Sequence, residues 1–415
     1  MKDHTDILII GGGVIGVCSA YYLAQQGRQV TLIDKGEVGA ACSYGNAGLI
    51  VPSHSIPLAA PGVLTQGLKW MLDPESPFFI KLRFDRELLA WLWRFQAACK
   101  EGPMRQAIPV LLDLNLMSAK LFNELVRQED LACDYEQKGL LMVYKSHHGF
   151  EEGMAEGQLL QEYGLSSKVL DGTQLHEMEP ALRSDLAGAL YYPSDAHLNP
   201  ARFVLSLAKR VQEQGVTIHT GTEVLGFENS SKRITTVKTT HGDFKADQVV
   251  LAAGSWSPHV VRDLKINLPI QPAKGYSVTV KQPNSGPRIP MLLGEAYVAV
   301  TPMGSLLRFG GTLELAGLNL SINQRRVDAL LRARRDYLTL ADNLELIEIW
   351  RGLRPCTPDG LPIIGRSASY QNLIVATGHA MLGLSLGPVT GKLVSQVACQ
   401  EPPAVNLEAL RIKRF

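Results

Sequence analysis

The chain has 415 residues, 46% of them apolar, so it can bury one large core or two ordinary ones. Lysine plus arginine (41) nearly cancels aspartate plus glutamate (40), which argues against a nucleic-acid partner, since duplex binding needs a basic excess on one face. The cysteines (Cys18, Cys42, Cys99, Cys133, Cys356, Cys399) form no C-x-x-C pair and no metal-like spacing, so they read as reduced thiols of a cytoplasmic protein without a metal site.

At the N-terminus, Asp6 precedes the apolar run "ILIIGGGVIGV", whose middle is three glycines. The run reads as folded structure rather than a signal peptide. No uncharged stretch approaches the roughly 20 residues of a membrane span. "DILIIGGGVIGVCSAYYLAQQGRQVTLIDK" predicts a buried strand, a glycine turn, a helix ending at Gly27 and a second strand. Gly11, Gly13 and Gly16 form G-x-G-x-x-G between strand and helix. The first glycine makes the turn, the second admits a pyrophosphate and the third lets the helix pack closely. Asp34 closes the second strand, close to the roughly 20-residue offset at which a carboxylate receives ribose hydroxyls. The small-residue loop "GEVGAACSYGNAGLI" that follows, with Ser43, Asn46 and Gly48, suits an extended flavin dinucleotide better than a plain nicotinamide domain.

From Ser53 to Pro103 the texture turns proline- and aromatic-rich. The stretch Leu58–Phe95 is a candidate for resting on a membrane, against the plainer alternative of a substrate-domain core or subunit contact. "RELLAWLWRFQAACK" predicts a short helix, and further helices are expected over 111–128 and 153–163. "NPARFVLSLAKRVQEQG" is an amphipathic helix leading into the alternating strand "VTIHTGTEVLGFE". "RITTVKTTHGDFKADQVVLAAGSW" gives two strands around a His241-Gly242-Asp243 turn. Several strands follow over 269–311, then a helix over 325–341. The tail "NLIVATGHAMLGLSLGPVTGKLVSQVA" predicts a strand, a glycine-rich turn and a final helix. In between, "RGLRPCTPDGLPIIG" sets Arg351 and Arg354 among apolar residues, where an unpaired guanidinium is costly and calls for an anion.

The pieces "IIGGGVIGVCSAYYLA", "NAG" at 46–48, "PLAAPGVLTQGLKWML", "KGYSVTV", "FGGTLELAG", "GLRPCTPDGLPIIG" and "TGHAMLG" occur in one order across nearly the whole chain. By them the sequence resembles the FAD-dependent amine and D-amino-acid oxidoreductases, the superfamily of glycine oxidase, sarcosine oxidase and D-amino-acid oxidase, and most closely the bacterial D-amino-acid dehydrogenases. The resemblance implies an α/β fold of glutathione-reductase-like, two-domain type. A Rossmann-type FAD-binding domain (1–52, 150–268 and 345–415) would interleave with an α+β substrate domain (53–149 and 269–344) containing a mixed or antiparallel sheet. It places Val14 and Ile15 under the pyrophosphate, and Asp34 with Lys35 at the adenosine ribose. Cys42, Ser43, Asn46, Ala47, Gly48 and Leu49 would line the flavin. Val224, Ala253, Gly254 and Trp256 would stand near the adenine. The turn His379, Ala380, Met381, Leu382, Gly383, Leu384 and Ser385 would offer its amides to the pyrimidine end of the isoalloxazine.

Arg354 falls where glycine oxidase holds its substrate's carboxylate, a match of guanidinium fork to planar acid; a structural ion pair is the alternative. Arg351, an odd number of residues away, would face the other side of a regular strand. Tyr276 is either a hydroxyl near the substrate or a packed strand aromatic. His54 either lines the pocket or is structural. The implied reaction is oxidative deamination of a D-amino acid, with hydride passing from Cα to flavin N5 and an imino acid as product. Positioning carries most of that chemistry, so no catalytic base is assigned. Cys356 directly precedes Thr357-Pro358-Asp359, out of register with the cysteine that carries covalent flavin in sarcosine-oxidase relatives, so the FAD is expected to be non-covalent. The dehydrogenases it resembles carry Cys-Gly-Ser where this chain has "SLGPVTG", which admits D-proline or D-hydroxyproline beside D-alanine. Glycine or sarcosine oxidation is the rival enzyme reading, and a tRNA-modifying flavoenzyme the rival of another class. The electron acceptor stays open between a quinone, an electron carrier and oxygen, with the inner face of the membrane as a candidate location.

Overall fold

The computed structural model describes residues 4–70, 76–81 and 83–415. Residues 71–75 and 82, within the aromatic stretch noted above, lie outside the described residues.

The apolar N-terminal run forms the central strand His4–Ile10 of an eight-stranded sheet. Gly242–Leu251 and Val30–Ile33 flank it in parallel, with Leu373–Thr377 and Thr217–His219 outside them, also in parallel. Both faces are covered, by helices Val14–Gln25 and Pro200–Glu213 over Ile7 and Ile9 and by the hairpin residues Ile234 and Val237 with Val261 and Leu264 over Leu8. All three are therefore almost wholly buried. Helix Val14–Gln25 packs against the C-terminal helix Gly387–Cys399 at close range: a Cβ added at Gly391 would lie 2.5 Å from the Cys18 backbone. The stretch "VTIHTGTEVLGFE", expected as one strand, breaks into Thr217–His219 and Val224–Ser230. The break lets the Thr222 amide turn to the Asp34 carbonyl (2.7 Å), and the chain then leaves the parallel edge for an antiparallel hairpin with Arg233–Thr239.

The second sheet has nine strands. Leu346–Cys356, Gln271–Lys281, Leu306–Leu315, Val298–Met303 and Met291–Leu293 run antiparallel in that spatial order. Leu140–Tyr144 joins in parallel, followed by Gly188–Tyr192 and Lys168–Asp171, and Phe78–Ile80 pairs in parallel with Leu313–Leu315, past the end of Val298–Met303. Lys168–Asp171, Gly188–Tyr192 and Leu346–Cys356 therefore hydrogen-bond into this sheet, although they lie in the ranges 150–268 and 345–415 expected to fold around the first. Periodicity specifies a strand but not its partner, and Leu346–Cys356 finds its partner about 80 residues upstream along almost its whole length. Helix Glu101–Gln128 begins ten residues before the expected 111 and carries Pro109 inside it, whereas helix Gln324–Ala333 is shorter than the expected 325–341. No described helix is long and apolar enough to cross a membrane.

Candidate active site

The glycine turn is as tight as its spacing demands. Gly11 takes φ +116°, and a Cβ at Gly16 would sit 1.8 Å from the Gly11 carbonyl oxygen, so no other side chain fits there. The Val14 amide donates to Ser43 Oγ (2.9 Å), which draws the small-residue loop over the helix N-terminus. In that first turn the buried amides of Ile15 and Gly16 have no acceptor among the described residues. These are the donors an anionic diphosphate would use. Asp34 accepts from the amides of Gly12 (2.6 Å) and Gly36 (2.8 Å). Burial raises its carboxyl above the ordinary value, and those two amides offset part of the rise. A carboxylate has about four acceptor positions, so ribose hydroxyls can still reach it.

Around this turn the fold gathers the other expected cofactor residues. Ala253 and Gly254 follow the strand end beside Gly11, where a Gly11 Cβ would meet the Ala252 carbonyl at 2.4 Å. Lys35 places its ammonium 4.3 Å above the Trp256 ring, and Val224 begins the strand just past Thr222. The loop 42–49 is pinned from the second sheet. Ser277 Oγ donates to the Gly45 carbonyl (2.7 Å), and Arg308 Nη1 donates to the Asn46 carbonyl (3.0 Å). Within the loop the Asn46 side chain bridges the Cys42 carbonyl and the Gly48 amide, and Leu49 pairs across to His197. At the other end of the chain, His379 is buried with Nε2 3.0 Å from Thr390 Oγ1. Burial pushes its pKa down to about 3, so it is neutral and structural. Ala380, Met381 and Leu382 form a single 3-10 turn, Gly383 and Leu384 lead out of it, and Ser385 Oγ accepts from the Val51 amide (3.0 Å).

Arg354 joins these parts. It stands on Leu346–Cys356 opposite Ala273, and Cys356, two residues on, bridges to His379 of the glycine-rich turn. Its Nη1 donates to the Thr312 carbonyl (2.6 Å), and its guanidinium lies against Gly275, where a Cβ would come within 2.2 Å of Nη1. Among the described residues no carboxylate lies within ion-pair distance of it. Cys42 is the nearest titratable neighbour from the loop. Burial pushes its thiol up to about 12, while Arg354 and a backbone bond from Leu353 pull it back. Burial also presses down on Arg354 itself, yet a guanidinium keeps its proton, so the pocket holds a half-buried cation with a neutral carbonyl for company.

Tyr276 does not share this pocket. It faces the opposite side of the sheet with Arg351, is 1% exposed and donates to Glu314 Oε2 (2.9 Å). Of its two sequence readings, the packed aromatic is the one the geometry supports. Arg351, also on that side, donates to the Leu320 carbonyl (3.0 Å). His54 is half-buried on the short turn Pro52–His54, with Nδ1 2.9 Å from Ser53 Oγ. Burial lowers its pKa to about 4, so it is neutral near pH 7. Ser53 in turn donates to Asp195, a fully buried acid raised to about 7 by desolvation. Sequence reasoning missed Asp195, Thr312, Gly275 and Arg308. Only "KGYS", with its glycine beside a strand aromatic, carried a local sign that a bulky group approaches there.

Comparison with known proteins bears on the family and the fold. The family described as FAD dependent oxidoreductase matches residues 6–397. A D-amino acid dehydrogenase from Vibrio atlanticus (strain LGP32) is 34% identical, covering 99% of this chain and 100% of the relative. One from Methylobacterium radiotolerans is also 34% identical, covering 99% of each. Among solved structures, glycine oxidase from Geobacillus kaustophilus superimposes with a TM-score of 0.83 at 23% identity, over 100% of both chains. L-proline dehydrogenase from P. horikoshii superimposes at 0.78 and 19%, over 100% of this chain and 98% of that one.

Proposed function

The chain belongs to the FAD dependent oxidoreductase family, and we propose that within it this enzyme oxidises the C–N bond of a D-amino acid and passes the electrons to an acceptor other than oxygen. The observation that carries the substrate reading is Arg354: a half-buried guanidinium with one backbone carbonyl as partner and, among the described residues, no carboxylate. A charge so placed is costly until an anion arrives, and a planar carboxylate matches its fork. The full-length relatives named D-amino acid dehydrogenase support the same choice.

Gly11, Gly13, Val14, Ile15, Gly16 and Asp34 would hold the dinucleotide, and the 42–49 loop with the 379–385 turn would hold its ring. When bound, the flavin accepts the hydrogen and electron pair that leave Cα. Arg354 fixes the substrate by its carboxylate, so that orientation rather than a side-chain base sets the rate. His54, neutral and held by Ser53, takes no protonation role. Cys356 is buried with its thiol raised to about 12, which supports a non-covalent cofactor. Phe84 (97% exposed), just before helix Arg86–Ala98, and Leu89 and Trp93 on it stand out beside the exposed Lys81 and Arg86, a combination suited to peripheral contact with an anionic membrane.

The deciding experiment is anaerobic bleaching of the flavin against D-amino acids, their L-forms, D-proline, glycine and N-methylglycine. Reduction by D-forms with L-forms silent is expected. Bleaching by glycine or N-methylglycine alone would move the reading to the oxidase side.

A further inference from the structure

An apolar cavity lined by Cys356 and Leu313, strand neighbours of Arg354 and of its partner Thr312, has no role in the account so far. Its wall includes Leu64, Ile80, Trp91, Phe95, Leu313 and Cys356, and almost no polar surface faces it. Two of these residues tie it to the carboxylate position. Cys356 is two residues along the strand from Arg354, on the same face, since Ala273 and Gln271 are their successive partners across the sheet. Leu313 directly follows Thr312, whose carbonyl accepts from Arg354. The Trp91 indole donates to the Cys356 carbonyl (2.9 Å) and holds helix Arg86–Ala98 against the strand. Ala380, from the turn expected at the flavin, packs on the same cluster. Two strand residues span about 7 Å, roughly the reach from a guanidinium across a bound carboxylate to the γ-carbon of an amino acid.

We infer that this cavity receives the substrate's side chain, which makes the preferred substrate an aliphatic D-amino acid of the leucine, methionine or valine class. The inference rests on the Arg354 reading and deepens it. The cavity measures about 60 Å³ open to a water-sized sphere. Since one water-sized sphere needs only about 10–15 Å³ of occupied space, the cavity takes more than the single methyl of alanine, and glycine would leave it empty. A charged side chain would find no partner there and would bear the full cost of desolvation.

The test uses the FAD-loaded protein and carboxylates that cannot be oxidised: propanoate, butanoate, 4-methylpentanoate and 5-aminopentanoate. Binding is followed by perturbation of the flavin spectrum and, independently, by the shift in melting temperature. Affinity should rise by about fourfold for each added carbon up to 4-methylpentanoate, and 5-aminopentanoate should bind no better than propanoate. The variant Leu92→Trp, which fills the cavity from its helix side, should abolish the gradient; Leu64→Phe serves if that variant does not fold. Equal affinities across the wild-type series would overturn the side-chain assignment and leave the carboxylate clamp standing. Failure of every carboxylate to bind would overturn both.

Discussion

Replacing Arg354 by methionine probes the clamp most directly. Nη1 already serves the Thr312 carbonyl, so the substrate's acid would meet the remaining fork with two charge-assisted bonds. Each such bond contributes about 1.5–3 kcal/mol, so losing both costs roughly 3–6 kcal/mol of carboxylate binding. That corresponds to a fall in affinity of at least about 100-fold. The folded state should barely respond. Methionine is close in length, and the lost charge had no carboxylate partner among the described residues, so unfolding free energy should stay within about 1–2 kcal/mol. The assay is titration of the flavin spectrum with a non-oxidisable carboxylate, alongside kcat/KM and the FAD-to-protein ratio. A variant that keeps its flavin and binds carboxylates within threefold of wild type would refute the clamp. A folded but colourless variant would mean that Arg354 holds the cofactor instead.

Gly16→Ala should purify without FAD or unfold, because the new Cβ meets the Gly11 carbonyl at 1.8 Å and the obstacle is backbone; flavin content and melting temperature check it. Tyr276→Phe should cost about 1–2 kcal/mol in urea unfolding through the lost bond to Glu314 and change kcat/KM less than threefold. A hundredfold loss at unchanged stability would return the phenol to the substrate. Asp195→Asn concerns pH. The native acid titrates near 7 against about 3.8 unfolded, so the folded state holds its proton more tightly, and wild type should lose stability as pH rises from about 4 to about 7. The variant lacks that loss, and the gap between the two should widen by an amount on the order of 4 kcal/mol over the interval, as read by melting at each pH. Phe84→Ser with Trp93→Ser should weaken co-sedimentation with anionic vesicles while leaving flavin reduction in solution intact.

Local chemistry made the first unit readable. A short apolar run, glycines at three fixed offsets and an acid at the next strand end each follow from a constraint within about 30 residues. The pocket depends on constraints of longer range. That Arg354 and Tyr276 point to opposite sides follows from a register linking residues about 80 apart, Ala273 with Arg354 and Tyr276 with Arg351. That Thr312 offers its carbonyl inward follows from its φ of +69°, at the irregularity where Lys274 and Tyr276 skip register against Leu306–Leu315. Threonine does not signal a positive φ, so nothing in "FGGTLELAG" gave the bulge away. Arg308, holding the flavin loop from a neighbouring strand, reads in sequence as one more polar position.

The same register explains how two cations so close together come to differ. Lys274 and Arg354 sit on adjacent strands, one residue pair apart, on opposite faces of the sheet. Lys274 is 1% exposed and fully provided for: Glu314 lies 3.4 Å from its ammonium, and the Ser321 carbonyl accepts at 2.9 Å. Among the described residues Arg354 has only the Thr312 carbonyl. Had the strands slipped by one residue, Arg354 would turn toward Glu314 and be neutralised, and the pocket would hold no unmatched charge. A half-buried cation whose neighbour is carefully paired is hard to explain as a packing accident, because the means of pairing it lie within one residue of register. Leaving Arg354 unmatched costs folding energy that an incoming carboxylate would recover, and the sheet register, more than any single side chain, keeps that cost in place.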